Sequence, residues 1–222
     1  TMALALPALI GVLWLGLFVP PTTVGRSALV WGNGLLAGLL VIPMLMRLLD
    51  ALRVPLSFGA TASAAGGLIL LAALAHLYWQ RESAGRVLQK SEWRNLPQSH
   101  KILIAFIGTL LAFRLTTLGL ELLWRPLFPW DATMHWATKA RVWFDAGRIV
   151  PFVENKEWLD LSGDGVFTDH HPDYPITTPL LQVWMNSAIG RWDESLMNLP
   201  WLLCLLGLGS AFFGQARVSG AG

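Results

Sequence analysis

The chain has 222 residues, 54% hydrophobic and 14% charged, with a formal net charge of +2. Soluble domains of this size carry about 25% charged residues, so a water-soluble globule is excluded as the main architecture. The small, dispersed positive charge also excludes a nucleic-acid partner.

The predicted elements are membrane spans at 3–20, 28–49, 58–79, 101–123, 177–190 and 196–214. Each is an apolar segment bounded by polar or turn residues, and most reach the roughly 20 residues that a helix needs to cross hydrocarbon. A spanning segment must satisfy its own backbone, so helices compete only with a closed barrel. Runs such as Leu68 to Leu77 lack the two-residue alternation of barrel strands. The expected fold is therefore all-α, a polytopic transmembrane helical bundle of about six spans. Pro7 and Pro43 interrupt the first two spans without excluding them. Gly59, Gly66 and Gly67, with four neighbouring alanines, predict that the third span packs tightly among its neighbours. Cys204 is a single thiol in the apolar run 202–208, which rules out an intrachain disulfide.

Three regions follow: residues 1–123 with four spans, a loop at 124–176, and residues 177–222 with two more spans. Arg81, Arg86, Lys90, Arg94 and Lys101 make segment 80–101 the densest basic stretch. By the positive-inside tendency it is cytoplasmic. Alternation then places 124–176 outside and returns Arg191 to the inside. Arg47 and Arg53 run against this scheme. Thr1 at the start and the end at Gly222 are what a piece of a longer protein would show.

The loop is long and rich in tryptophan (Trp124, Trp130, Trp136, Trp143 and Trp158), a residue that favours headgroup depth. Residues 131–146 predict an amphipathic helix lying at the interface. Asp131 caps it, Ala132, Trp136, Ala140 and Trp143 form its apolar stripe, and Gly147 stops it. Asp131, His135 and Lys139, spaced by four, share a separate polar face.

Four constellations could carry chemistry. Asp131, His135, Lys139 and Arg141 offer a base with cations to meet a phosphate; the plain alternative is a helix cap with headgroup-binding cations. Asp169-His170-His171-Pro172-Asp173-Tyr174-Pro175 gathers imidazoles, carboxylates and a phenol on a proline-stiffened turn. That turn is competent to bind phosphate, sugar hydroxyls or a divalent metal, though adjacent histidines alone are a weak metal signal. Asp160, Ser162, Asp164, Gly165 and Thr168 follow the first half of a calcium loop, but His171 stands where a bidentate Glu is required, so a simple turn is favoured. Arg114 and Glu121, seven residues apart on the fourth span, are costly within a bilayer. They line a polar cleft that reaches a phosphate, or they bind each other in a structural network.

Taken in order, these features resemble the GT-C class of polyprenyl-phosphate-sugar-dependent glycosyltransferases. The resemblance covers about residues 114–185. It rests on the acidic residue opening a loop after a span, in Arg125-Pro-Leu-Phe-Pro-Trp-Asp131, on helices within that loop, and on His171-Pro172-Asp173-Tyr174-Pro175 closing it. It implies that Asp131 is the general base and that residues 171–175 bind lipid phosphate or shape a sugar pocket. His135, Lys139, Arg141, Arg114 and His170 join the substrate-binding set by their chemistry. Ala132 departs from the family pattern, in which a second acidic residue often follows the loop Asp.

The expected activity is sugar transfer from a polyprenyl-phosphate donor to an envelope glycan, lipid or protein. The expected place is the bacterial inner membrane, with the active loop extracytoplasmic. A divalent metal is the one cofactor left open, and no glycine-rich nucleotide cradle is present. Two other readings stay open, a transporter or flippase-like permease and a non-catalytic membrane scaffold.

Overall fold

The computed structural model describes residues 2–80, 97–161 and 165–220. Arg81, Arg86, Lys90 and Arg94, on which the orientation chiefly rests, lie outside the described residues, as do Ser162 and Asp164 of the calcium-like stretch.

The architecture is nearly all helical. Helices α1 (Met2–Phe18), α2 (Arg26–Ala51), α3 (Phe58–Gln80), α4 (Gln98–Trp124) and α8 (Pro200–Val218) form the long elements. Between α4 and α8 lie a π-helical segment (Ala132–Ala137), α5 (Thr138–Ala146), β1 (Phe152–Val153), α6 (Asn155–Asp160), β2 (Phe167–Thr168), α7 (Thr177–Ile189) and a 3₁₀ turn (Leu196–Asn198). The two short strands pair in parallel, Phe152 opposite Phe167.

Among the described residues four stretches are long and apolar enough to cross a membrane: Arg26–Ala51, Phe58–Trp79, Gln98–Trp124 and Leu196–Val218. Helix α1, at 17 residues, is shorter. Helix α7 is not one of them, which corrects the expectation of a span at 177–190. It has 13 residues, and Pro179 through Asn186 are all buried against protein. A lipid-facing span would expose such a surface, whereas α7 is a plug within the fold. Trp184 donates to the Ala3 carbonyl at 2.8 Å and stacks on Phe58 at 4.7 Å.

The tight packing also lies elsewhere than predicted. A Cβ added at Gly59, Gly66 or Gly67 of α3 would meet nothing within 4 Å. One added at Gly38 of α2 would sit 1.8 Å from the Pro7 carbonyl oxygen, and one at Gly32 would sit 2.2 Å from the Ala211 nitrogen. Helix α2 is therefore the central helix, with α1 on one side and α8 on the other, at distances only glycine allows. Small residues on α3 signalled crowding that α2 actually experiences.

Contacts between connections define two ends of the bundle. The Leu56 amide donates to the Gly147 carbonyl at 2.6 Å, and the Ile149 amide donates to Asp50 Oδ1 at 3.0 Å. Ser195 Oγ reaches the Arg125 carbonyl at 3.3 Å. The α2–α3 turn, residues 125–161 and 165–176, and the α7–α8 connection thus share one end. Gly25 and Arg217 meet at the other. With Ser195 against Arg125, the connection that carries Arg191 lies at the loop's end of the bundle, not at the end where the scheme placed Arg191. Helix α4 stands apart, 27 residues long with none buried. An apolar helix exposed over most of its length suits lipid in place of a protein core.

Candidate functional site

The loop folds around a buried ionic knot. Asp169, just after β2, accepts from His135 Nδ1 at 2.5 Å through Oδ1, and its Oδ2 pairs with Lys139 Nζ at 2.8 Å. The His171 amide donates to Oδ1 at 3.2 Å. Lys139 Nζ also donates to the His171 carbonyl at 2.7 Å. Its side chain is 1% exposed and lies over the Phe152 and Tyr174 rings. Burial pushes the Asp169 carboxyl up, but Lys139, His135 and the His171 amide outweigh it, so its pKa falls below the ordinary 3.8. An ionised Asp169 can only accept, so His135 Nδ1 carries the proton of this hydrogen bond,. Around it, His171 stacks on Tyr174 at 4.5 Å, and His135 meets both rings edge-on.

The local backbone explains how His135 and Lys139 point inward together. Thr138 N and Oγ1 both bond the Thr133 carbonyl, five residues back, which widens the turn to π-helical. A π segment rotates the residues before it relative to those after it, and such bulges are frequent at functional sites. The apolar stripe holds at Ala140 and Trp143, which are buried, with Trp143 Nε1 donating to the Val150 carbonyl at 2.9 Å. The polar face departs from expectation. His135 and Lys139 are buried on Asp169, while Asp131 stays exposed. Asp131 does not cap the helix either: it has helical dihedrals (φ −59, ψ −39) and makes no capping hydrogen bond.

The remaining predicted residues scatter. Arg141 is exposed, pairs with Asp145 at 2.7 Å and lies 5.2 Å from the Trp192 ring centroid. Arg114 is exposed on α4 and does not meet Glu121, which pairs instead with Arg125 at 2.7 Å. His170 and Asp173 are exposed, whereas Tyr174 is half-buried in the ring cluster. Among the described residues no group of three His, Cys, Asp or Glu side chains is placed to hold a metal ion.

A second feature escaped the sequence reading, a groove of about 500 Å³ bounded by α4, the turn after it, the π segment, α7 and α8. That volume lies within the range of small-molecule sites. Leu118 and Leu122 of α4 face Trp201, Leu202 and Leu205 of α8 across it. Thr178 and Gln182 of α7 and Asn198 line it too, and Glu121 with Arg125 stands on its wall. Most of the lining is apolar, Leu127, Phe128 and Trp136 at the loop end included, and Glu121, Arg125, Thr178, Gln182 and Asn198 add its polar groups, so the groove is amphipathic. Pro129 and Ala132, which flank Asp131 in sequence, are both lining residues. Gln182 is 3% exposed, and its Oε1 has no hydrogen-bond partner among the described residues. A glutamine and an asparagine within the apolar run 180–186 were the available sequence signal, since polar groups in apolar spans mark functional positions.

The fold and site together define an α-helical protein with helices fit to cross a membrane, carrying a folded polar loop and an amphipathic groove at one end. No family model, curated protein or solved structure matches the chain.

Proposed function

We propose that the chain is an integral-membrane glycosyltransferase, or the part of one that carries the catalytic loop. In this reading it transfers a sugar from a polyprenyl-phosphate donor to a hydroxyl of an envelope glycan, lipid or protein, with the loop on the extracytoplasmic face of a bacterial inner membrane. The observation that carries the proposal is the amphipathic groove lined by Pro129 and Ala132, which flank Asp131 in sequence. A lipid-linked donor needs its tail in hydrocarbon and its phosphate and sugar at the polar surface, and the groove offers apolar and polar lining together.

The chemistry assigned to the site is inverting. Asp131 takes the proton of the acceptor hydroxyl. The hydroxyl oxygen bonds to the anomeric carbon as the bond from that carbon to the phosphate oxygen breaks, and the lipid phosphate leaves with the electron pair. Arg125, on the groove wall, is the nearest lining cation to meet that phosphate,. Lys139 is committed to Asp169, so its part is to hold the loop in place.

Membranes containing the full-length gene product, supplied with polyprenyl-phosphate sugars, test the proposal. Asp131→Asn at matched expression is expected to lower transfer by about 10²- to 10⁴-fold, the size of a general-base contribution. Undiminished transfer by the variant removes Asp131 from the reaction.

A further inference from the structure

Gln182 is a buried side chain whose Oε1 has no hydrogen-bond partner among the described residues. Buried amides without partners are uncommon because desolvation goes uncompensated. Its neighbours on α7 show how the same helix treats other polar groups. Asn186, one turn later, accepts from the Asp193 amide at 2.8 Å and donates to Met197 Sδ at 3.6 Å. Asn198, across the groove, donates to the Glu194 carbonyl at 2.8 Å. Gln182 Oε1 alone of these three is buried without a partner, and Gln182 lines the groove. The last torsion of a glutamine side chain is broad, so its oxygen turns toward a groove occupant at little cost.

The surroundings restrict what that occupant is. Toward Leu118 and Leu205 the walls are aliphatic, and the eight residues from Leu118 to Arg125 rise about 10 Å along the helix axis,. The occupant therefore lays an apolar chain against Leu118, Leu122, Leu202 and Leu205. At the Gln182 level the free acceptor demands an O–H or N–H group. Thr178, one turn before Gln182 on the same helix, adds a hydroxyl to that level.

We propose that Gln182 selects the groove's ligand, an amphiphile with one apolar chain and a hydroxyl or amide donor in its head group. This deepens the transfer reading, in which the ligand is the lipid-linked donor and the group read is a head hydroxyl. The recognition needs no chemistry, so the two can fail separately.

The test uses the full chain in lipid nanodiscs with two photoreactive probes, a long-chain alcohol bearing a mid-chain diazirine and its methyl ether. Cross-links are mapped by mass spectrometry to the α4 and α8 segments that line the groove. The alcohol is expected to label these segments about five- to tenfold more than the ether, the discrimination of one hydrogen bond. In Gln182→Met the two probes are expected to label equally, with total labelling by the ether retained. Equal labelling by both probes in the wild type overturns the proposal, and that comparison stands even if the variant misfolds. A preference that survives in Gln182→Met also overturns it, as does labelling that avoids the groove. Discrimination in a protein that transfers no sugar from any lipid-linked donor would sink the transfer reading and leave the selecting role of Gln182 in place.

Discussion

The ionic knot and the groove lie on adjoining parts of one π segment, and they treat polar groups in opposite ways. Every charge in the knot is met: Asp169 by Lys139, His135 and a backbone amide, and Lys139 by Asp169 and the His171 carbonyl. The groove is lined in part by Gln182, whose buried amide oxygen has no partner among the described residues. Saturated polar networks rigidify a fold, because each member is costly to leave alone. Unsatisfied ones hold a place for something else. The difference separates scaffold from binding surface within a loop whose composition is polar throughout.

Breaking the knot gives the largest effect. Asp169→Asn leaves Lys139 buried without its counter-charge and is expected to destabilise the loop end by about 3–5 kcal/mol, read as a lower unfolding midpoint in detergent. A variant with both Asp169→Leu and Lys139→Met should recover much of that loss, as it removes the stranded charge. A full loss in the double variant would show that the knot's value is not the pairing.

Acid sharpens the comparison next. Asp169 is held below its ordinary 3.8 when folded. Its contribution is therefore complete above about pH 3.8 and fades as pH falls through the lower folded value. Unfolding midpoints measured across the acid range should drop there in the wild type, and the drop should be smaller in Asp169→Asn. Parallel curves would assign the acid sensitivity to other carboxyls.

The groove should answer in the other direction. Gln182→Met replaces an unsatisfied amide by an apolar side chain of similar length and is expected to stabilise the unliganded protein by about 1 kcal/mol. A lower midpoint would mean that Gln182 is satisfied within the protein, which would bring groove and knot into one class.

Some of this was legible in the residues. The long apolar segments specify four helices fit for a bilayer, because length and hydropathy act locally and each helix closes its own hydrogen bonds. Asp169 stood in a visible cluster of polar residues, and Trp143 in a visible stripe. The segment at 177–189 misled because its apolar residues suit lipid and protein equally well. Only neighbours decide between them, and α7 is enclosed on the sides that a span would expose. The glycines of α3 misled for a related reason, since small residues permit close packing without compelling it; the crossing of α2 with α1 and α8 decided where it happens.

The site divides along the same line. By itself the sequence determined that titratable groups gather in residues 124–176 and that Asp131, His135 and Lys139 recur at helical spacing. It could not determine which of them turn inward. That choice was made by Asp169, 34 positions after His135, whose carboxylate gives two buried side chains their partner. The groove is tertiary altogether, since its walls come from α4, α7 and α8 and from the turn between them. Charge pairing and enclosed space depend on which distant segments meet, and that is settled when the chain packs.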